Sequence, residues 1–238
     1  MTLLRIMKVN RATGLIKAGL TALLLATLAC SVATGKGRKL YPVDEGKRDP
    51  SFSAFRGRLL KAARERDGKF VLSVIDPQIK WSFGGDHDIG EFKKHWELES
   101  ANSKFWDELI AVLSLGGTFS SEDGMKTFWA PYTFTRFPND LDAFEYAPII
   151  GANVKVRTRP KSTAPVIATL SYDIVQATIG GGTDEQLQND NLGWVKIITP
   201  DGKQGYISKK YIRSPVDYRA YFRKVKGKWI MTMFIAGD

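Results

Sequence analysis

The sharpest polar cluster in the chain is Gly85-Asp86-His87-Asp88-Ile89-Gly90-Glu91, followed by His95. His87, Glu91 and His95 recur at every fourth position. On one unbroken helix they would put two imidazoles and a carboxylate on a single face, the donor types of a zinc site. Gly84, Gly85 and Gly90 argue against an unbroken helix and place His87 in the turn before it. The plainer reading is a helix start with Asp86 or Asp88 as its cap. A metal-dependent enzyme or hydrolase using the His87/His95 region is therefore the weaker reading, and neither a metal nor a cofactor is expected.

Other catalytic arrangements are hard to assemble. The chain has one cysteine, Cys30, and two histidines in 238 residues. Cys-His chemistry needs a thiolate beside an imidazole, and Cys30 lies in an apolar leader remote from both histidines in sequence. There is no Gly-x-Ser-x-Gly elbow. Asp107-Glu108 and Asp140/Asp142 are paired acids of the kind any charged surface carries, and nothing in the sequence points them into one cleft. Gly180-Gly181-Gly182 lacks the Lys-Ser/Thr of a phosphate loop and reads as a plain loop. The chain is expected not to be an enzyme.

The first thirty residues are a segment of another kind. Arg5, Lys8, Arg11 and Lys17 make a basic start without an acid, and Ala18 to Ala29 is apolar apart from two threonines. That run suits a signal-peptide core and is short for a membrane span. Thr27-Leu28-Ala29-Cys30 resembles a lipobox, with Thr where Leu is usual, so Cys30 is the expected site of lipidation and membrane anchorage. Cleavage after Ala33 as an ordinary signal peptide is the alternative. Loss of residues 1–30 removes four positive charges, taking the formal charge from +10 to +6. Such a balance suits an anionic wall or membrane surface. An exported chain without a basic-aromatic motif is not expected to bind nucleic acid. The expected location is the periplasm or cell envelope.

Residues 31–50 carry Gly, Lys and Pro without periodicity and read as a linker. Residues 51–148 read as an α+β domain. A helix is expected over Ser51–Arg66, capped by Ser53, with Phe55, Leu59, Ala62 and Ala63 as its stripe. A short helix over Lys69–Ile75 is expected to end at Asp76-Pro77, with a strand through Ile79, Trp81 and Phe83. Helices follow over Ile89–Leu98 and Lys104–Leu115. Thr118, Phe119, Phe128, Ala130, Tyr132 and Phe134 predict two aromatic strands around Glu122-Asp123-Gly124. At the far end, residues 216–238 predict a hairpin about Lys226-Gly227. An isolated hairpin is marginal in water, so Tyr221, Trp229, Met231 and Phe234 are expected to pack back on the α+β domain.

Between these parts, residues 149–213 predict an all-β small barrel. Asn153 to Arg157 alternates apolar and polar residues, Val166 to Leu170 and Ile174 to Ala177 are short strands, Trp194 to Ile198 alternates again, and Pro200-Asp201-Gly202 turns the chain into Gln204 to Ser208. Asn153-Val154-Lys155-Val156-Arg157, Pro165-Val166-Ile167-Ala168, Gly193-Trp194-Val195-Lys196-Ile197 and Asp201-Gly202-Lys203-Gln204-Gly205-Tyr206-Ile207, running to Tyr211-Ile212, resemble the bacterial SH3 (SH3b) domain family in order and spacing. The insert Gly180 to Leu192 is longer than the family's usual loop. The remainder resembles, more faintly, the NTF2-like fold. The SH3b resemblance implies a non-catalytic envelope protein whose barrel binds peptidoglycan or an envelope partner; a scaffold without wall binding is the alternative. Tyr172, Asp173, Trp194 and Tyr206 are the expected ligand-binding residues, aromatic faces with an acid to meet peptide amines.

Overall fold

The computed structural model describes residues 37–84, 88–177, 179 and 193–237. After a 3₁₀ turn (Glu45–Arg48) the chain enters α1 (Pro50–Glu65) and α2 (Gly68–Ser73). Asp49, not Ser53, caps α1: its carboxylate accepts from Phe52 N at 3.0 Å, and Pro50 holds the first helical position. Asp67 caps α2 in the same way. Then comes β1 (Ile75–Lys80), which begins earlier than the alternation from Ile79 suggested and contains Pro77. A proline is tolerated there because β1 is an edge strand.

Next are α3 (Ile89–His95) and α4 (Phe105–Ser114), then β2 (Thr118–Glu122) and β3 (Met125–Ala130). Asp123 and Gly124 join β2 to β3 with φ of +50° and +72°, the left-handed pair that a tight hairpin demands. Gly117 is required just before β2, since a Cβ there would lie 1.9 Å from the Trp129 carbonyl oxygen. Tyr132 and Phe134, expected to continue a strand, instead lie in α5 (Tyr132–Thr135). Pro131 carries no N–H to extend the β3 ladder, and the chain turns into a helical segment there.

The barrel follows: β4 (Tyr146–Pro148), β5 (Val154–Arg157), β6 (Val166–Leu170), β7 (Ile174–Gln176), β8 (Trp194–Ile198) and β9 (Gln204–Ser208), closed by a 3₁₀ turn at Lys209–Tyr211. The six strands form one sheet in the order β4-β7-β8-β9-β5-β6. β4 belongs to this sheet, so the barrel begins near Tyr146 rather than at residue 149. Val154, Val156, Val175, Val195, Ile197 and Ile207 supply one face of the sheet to a single core.

The chain ends with β10 (Arg219–Val225) and β11 (Lys228–Ile235), a hairpin that returns to the α+β domain as expected. β10 pairs antiparallel with β3, Ala220 opposite Ala130 and Arg223 opposite Thr127, while β11 pairs parallel with β1. The five-stranded sheet therefore runs β1-β11-β10-β3-β2, its middle completed by the last strands of the chain. α1 and α4 cover one face. The buried Phe52 ring lies 4.1 Å from Phe128, 4.9 Å from Trp229 and 5.7 Å from Phe222, joining α1 to three strands. Phe105, Trp96, Tyr218 and Phe234 form a second aromatic group under α3 and α4.

Residues 37–50, expected as a free linker, are packed. Leu40 N donates to Tyr172 O, Ile174 N donates to Arg38 O, and Glu45 N donates to Gly117 O, so the segment straps barrel to α+β domain. Leu40 is buried with Tyr132 of α5 and Ile174 of β7 in a small junction core. Burial pushes the Tyr132 phenol up to about 12. Farther along the strap, Asp44 grips the buried Arg56 guanidinium through two bonds of 2.6 and 2.8 Å, which hold its carboxyl below the usual carboxylate range.

A second, polar junction joins α4 to the barrel's exit. Arg213 is buried beside Glu108 and Asp217, at 3.4 and 3.5 Å, and donates to Tyr218 O at 3.0 Å. Desolvation raises the Glu108 pKa, and the long Arg213 contact offsets it only in part.

Two outcomes follow from this packing. Phe52→Ala should cost about 3–5 kcal/mol in urea unfolding, and a loss below about 1 kcal/mol would contradict the central place given to that ring. For Glu108 the folded state favours the protonated acid, so its contribution is present below its ordinary pKa and is lost as pH rises through the raised one. The stability of Glu108→Gln relative to the parent chain should therefore improve between about pH 4 and about pH 8 in thermal unfolding; a constant difference would show that Arg213 compensates fully.

Candidate functional site

The site begins with the alternation of β5. Val154 and Val156 point into the barrel, which turns Lys155 and Arg157 outward onto one face. β9 and β8 extend that face. Tyr206 lies opposite both Arg157 and Lys196, and Ser208 lies opposite Trp194. Beyond Ser208 the 3₁₀ turn swings Tyr211 outward, where it is 38% exposed. Gly151 leaves room for that ring: a Cβ there would touch Tyr211 Cδ1 at 3.4 Å.

Together these residues wall a groove of about 320 Å³, lined by Ala152, Asn153, Val154, Lys155, Arg157, Ser162, Trp194, Ser208, Lys210 and Tyr211. Its volume lies at the small end of ligand pockets. Among the described residues of its lining, three are cationic and none is acidic. Lys155 Nζ donates to Thr169 Oγ1 at 3.1 Å, and Arg157 donates to Ala164 O at 2.6 Å. Lys210 Nζ sits 4.8 Å from the Tyr211 ring centroid, a cation–π contact at the rim. Trp194 and Tyr211 supply flat apolar walls, and Ser162 and Ser208 bring hydroxyls. The arrangement can hold a small ligand with an apolar body and a polar or charged end.

The four residues expected from the sequence do not form one site. Trp194 lines the groove, and Tyr206 shares its sheet face without lining it. Tyr172 and Asp173 lie elsewhere, under the strap. The Tyr172 backbone is left-handed, φ +60°, and its ring is 5.5 Å from that of Tyr41. Asp173 is buried: it takes Lys39 Nζ at 2.8 Å and Ser171 N at 2.7 Å. Its carboxylate is engaged by Lys39 of the strap and does not line the groove. Lys155, Arg157, Lys210 and Tyr211 were not singled out from the sequence. The outward phase of β5 signalled the first two; the exposure of Tyr211 depends on the 3₁₀ turn and had no comparable signal.

Asp88 caps α3, accepting from Gly90 N at 2.6 Å and Glu91 N at 3.2 Å. Glu91 pairs with Lys94 at 3.1 Å, and the exposed His95 ring stacks 4.7 Å from Trp81. His87, Asp86, Cys30 and Gly180–Gly182 lie outside the described residues. Among the described residues, no helix is long and apolar enough to cross a membrane.

With this geometry in view, residues 152–213 match the family model of the bacterial SH3 domain. The match spans β5 to Arg213 and covers about a quarter of the chain, the segment that forms the barrel from β5 onward. No curated protein matches the chain.

The burial of Asp173 against Lys39 has a measurable consequence. Lys39→Met should leave Asp173 buried without its cation and lower the melting temperature by several degrees, with Asp173→Asn in the same background restoring part of the loss. An unchanged melting temperature in Lys39→Met would return Asp173 to the list of groups free to bind a ligand.

Proposed function

We propose that this is an exported, non-catalytic envelope protein whose SH3 domain binds peptidoglycan through the Trp194–Tyr211 groove. The observation that carries the reading is that groove, a two-walled aromatic cleft on a bacterial SH3 domain. Export is supported by the basic start and apolar run of residues 1–30, and attachment to the membrane by Cys30 at the end of that run. The α+β domain supports the barrel and performs no chemistry. Its interior is filled by Phe52, Phe128, Phe222, Phe105 and Phe234, which leaves the aromatic body of the domain committed to packing.

A second reading is favoured by one observation. The barrel is fixed to its neighbour by the Leu40–Tyr132–Ile174 core and by Arg213, as a scaffold requires. In that reading the SH3 domain serves internal assembly or a protein partner.

Co-sedimentation of the full chain with purified cell-wall sacculi, at low and high salt, separates the two. The expected result is binding that survives salt, falls at least about tenfold in Trp194→Ala and persists in Tyr172→Ala. Binding that disappears with salt in every variant would reduce the interaction to net charge. No binding at either salt would favour the scaffold.

A further inference from the structure

The groove's charge points to the chemical class of its ligand. Lys155, Arg157 and Lys210 line it, and among the described residues none of the three is ion-paired with a carboxylate. Each is held by a neutral partner instead: a threonine hydroxyl, a backbone carbonyl and a tyrosine face. Such contacts orient a cation without neutralising it. Arg157 is the best placed. It is half-buried on β5, and the bond to Ala164 O engages one N–H of a group that carries five. Among the described residues, three cations around one small concave surface without a paired carboxylate focus a positive potential there. Asp173, the acid expected at the site from the sequence, is buried against Lys39 on another part of the barrel.

We propose that this groove selects a carboxylate-bearing peptide, its carboxylate seated against Arg157 and Lys155 and its apolar side chains lying between Trp194 and Tyr211. This rests on the wall-binding reading for the source of the peptide, but not for the chemistry of the groove. An arginine fork meets a carboxylate through two parallel bonds, which gives direction as well as attraction. The aromatic walls make a purely inorganic anion a poor fit, because they contribute only if the ligand has apolar surface to cover them. A peptide amine, the partner expected from the sequence, would instead be repelled.

The test titrates N-acetylated dialanine into the full chain, once as the free acid and once as the carboxamide, and follows the Trp194 indole resonance, assigned with Trp194→Phe. The acid should bind at least about tenfold more tightly than the amide. Lys155→Gln with Arg157→Gln should bring the acid down to the level of the amide while the far-ultraviolet circular dichroism stays that of the folded parent chain. Equal titration by acid and amide, or no response to either, overturns the proposal. Inorganic phosphate shifting the Trp194 resonance at lower concentration than the acid also overturns it, in favour of a phosphate ligand. Sedimentation with sacculi whose carboxyl groups have been converted to amides separates this inference from the one beneath it. Loss of binding on amidation supports the carboxylate. Equal binding to treated and untreated sacculi sinks the carboxylate and leaves wall binding standing. Failure to bind untreated sacculi sinks wall binding, and the dipeptide titration then decides the groove's preference alone.

Discussion

The ladder between β3 and β10 is the contact on which the rest of the molecule depends. It joins Thr127–Ala130 to Ala220–Arg223 across an entire intervening domain. Until it forms, the helices have only the β2–β3 hairpin and a proline-bearing edge segment to cover. Closing so long a loop costs entropy that grows only slowly with length. The burial of Phe222, Trp229, Met231 and Phe234 offsets that cost, because these side chains meet Phe52, Phe105 and Phe128 only when the last hairpin has returned. The aromatic content of the chain is thus spent chiefly on holding distant parts of one sheet together.

The barrel is fixed by contacts of two physical kinds. Leu40, Tyr132 and Ile174 exclude water on the strap side, whereas Arg213, Glu108 and Asp217 meet as charges beside α4. The apolar contact is indifferent to pH; the charged one is not, since burial disfavours the ionised form of Glu108. The groove lies on the face formed by β5, β9 and β8, and its lining comes wholly from the barrel. Lys155 and Arg157 owe their place in it to which side of β5 faces outward, a matter of strand phase, while Lys210 comes from the 3₁₀ turn.

Much of the fold was legible in the sequence. Alternation at Asn153–Arg157 and Trp194–Ile198 marked the barrel, Lys226-Gly227 marked the hairpin, and the unburied apolar face of that hairpin required a partner. Local chemistry at boundaries was harder to read. Asp49 outcompeted Ser53 as a cap because Pro50 fixed the helix start. Pro131 diverted Tyr132 and Phe134 from the strand their aromatic character suggested. The strap was illegible because its bonds, backbone and side-chain alike, mostly join residues far apart in the chain and leave no periodic trace. The same strap bears on Asp173: an acid beside a loop tyrosine looks free in sequence, whereas in the fold Lys39 reaches it from 134 residues away. Trp194 sits on an alternating strand whose phase alone left core and groove both open, while the exposure of Tyr211 depends on a turn that residue type does not encode.

The register of the β3–β10 ladder has one more implication. Ala130, the last residue before the excursion, is the direct neighbour of Ala220, almost the first after it. The two ends of the interruption therefore stand side by side, as the ends of an ordinary hairpin loop do. A few turn residues would be enough to close the parent domain without the barrel. In the history of such a gene, an SH3 cassette could be gained, lost or exchanged at this point while every strand of the host sheet kept its place.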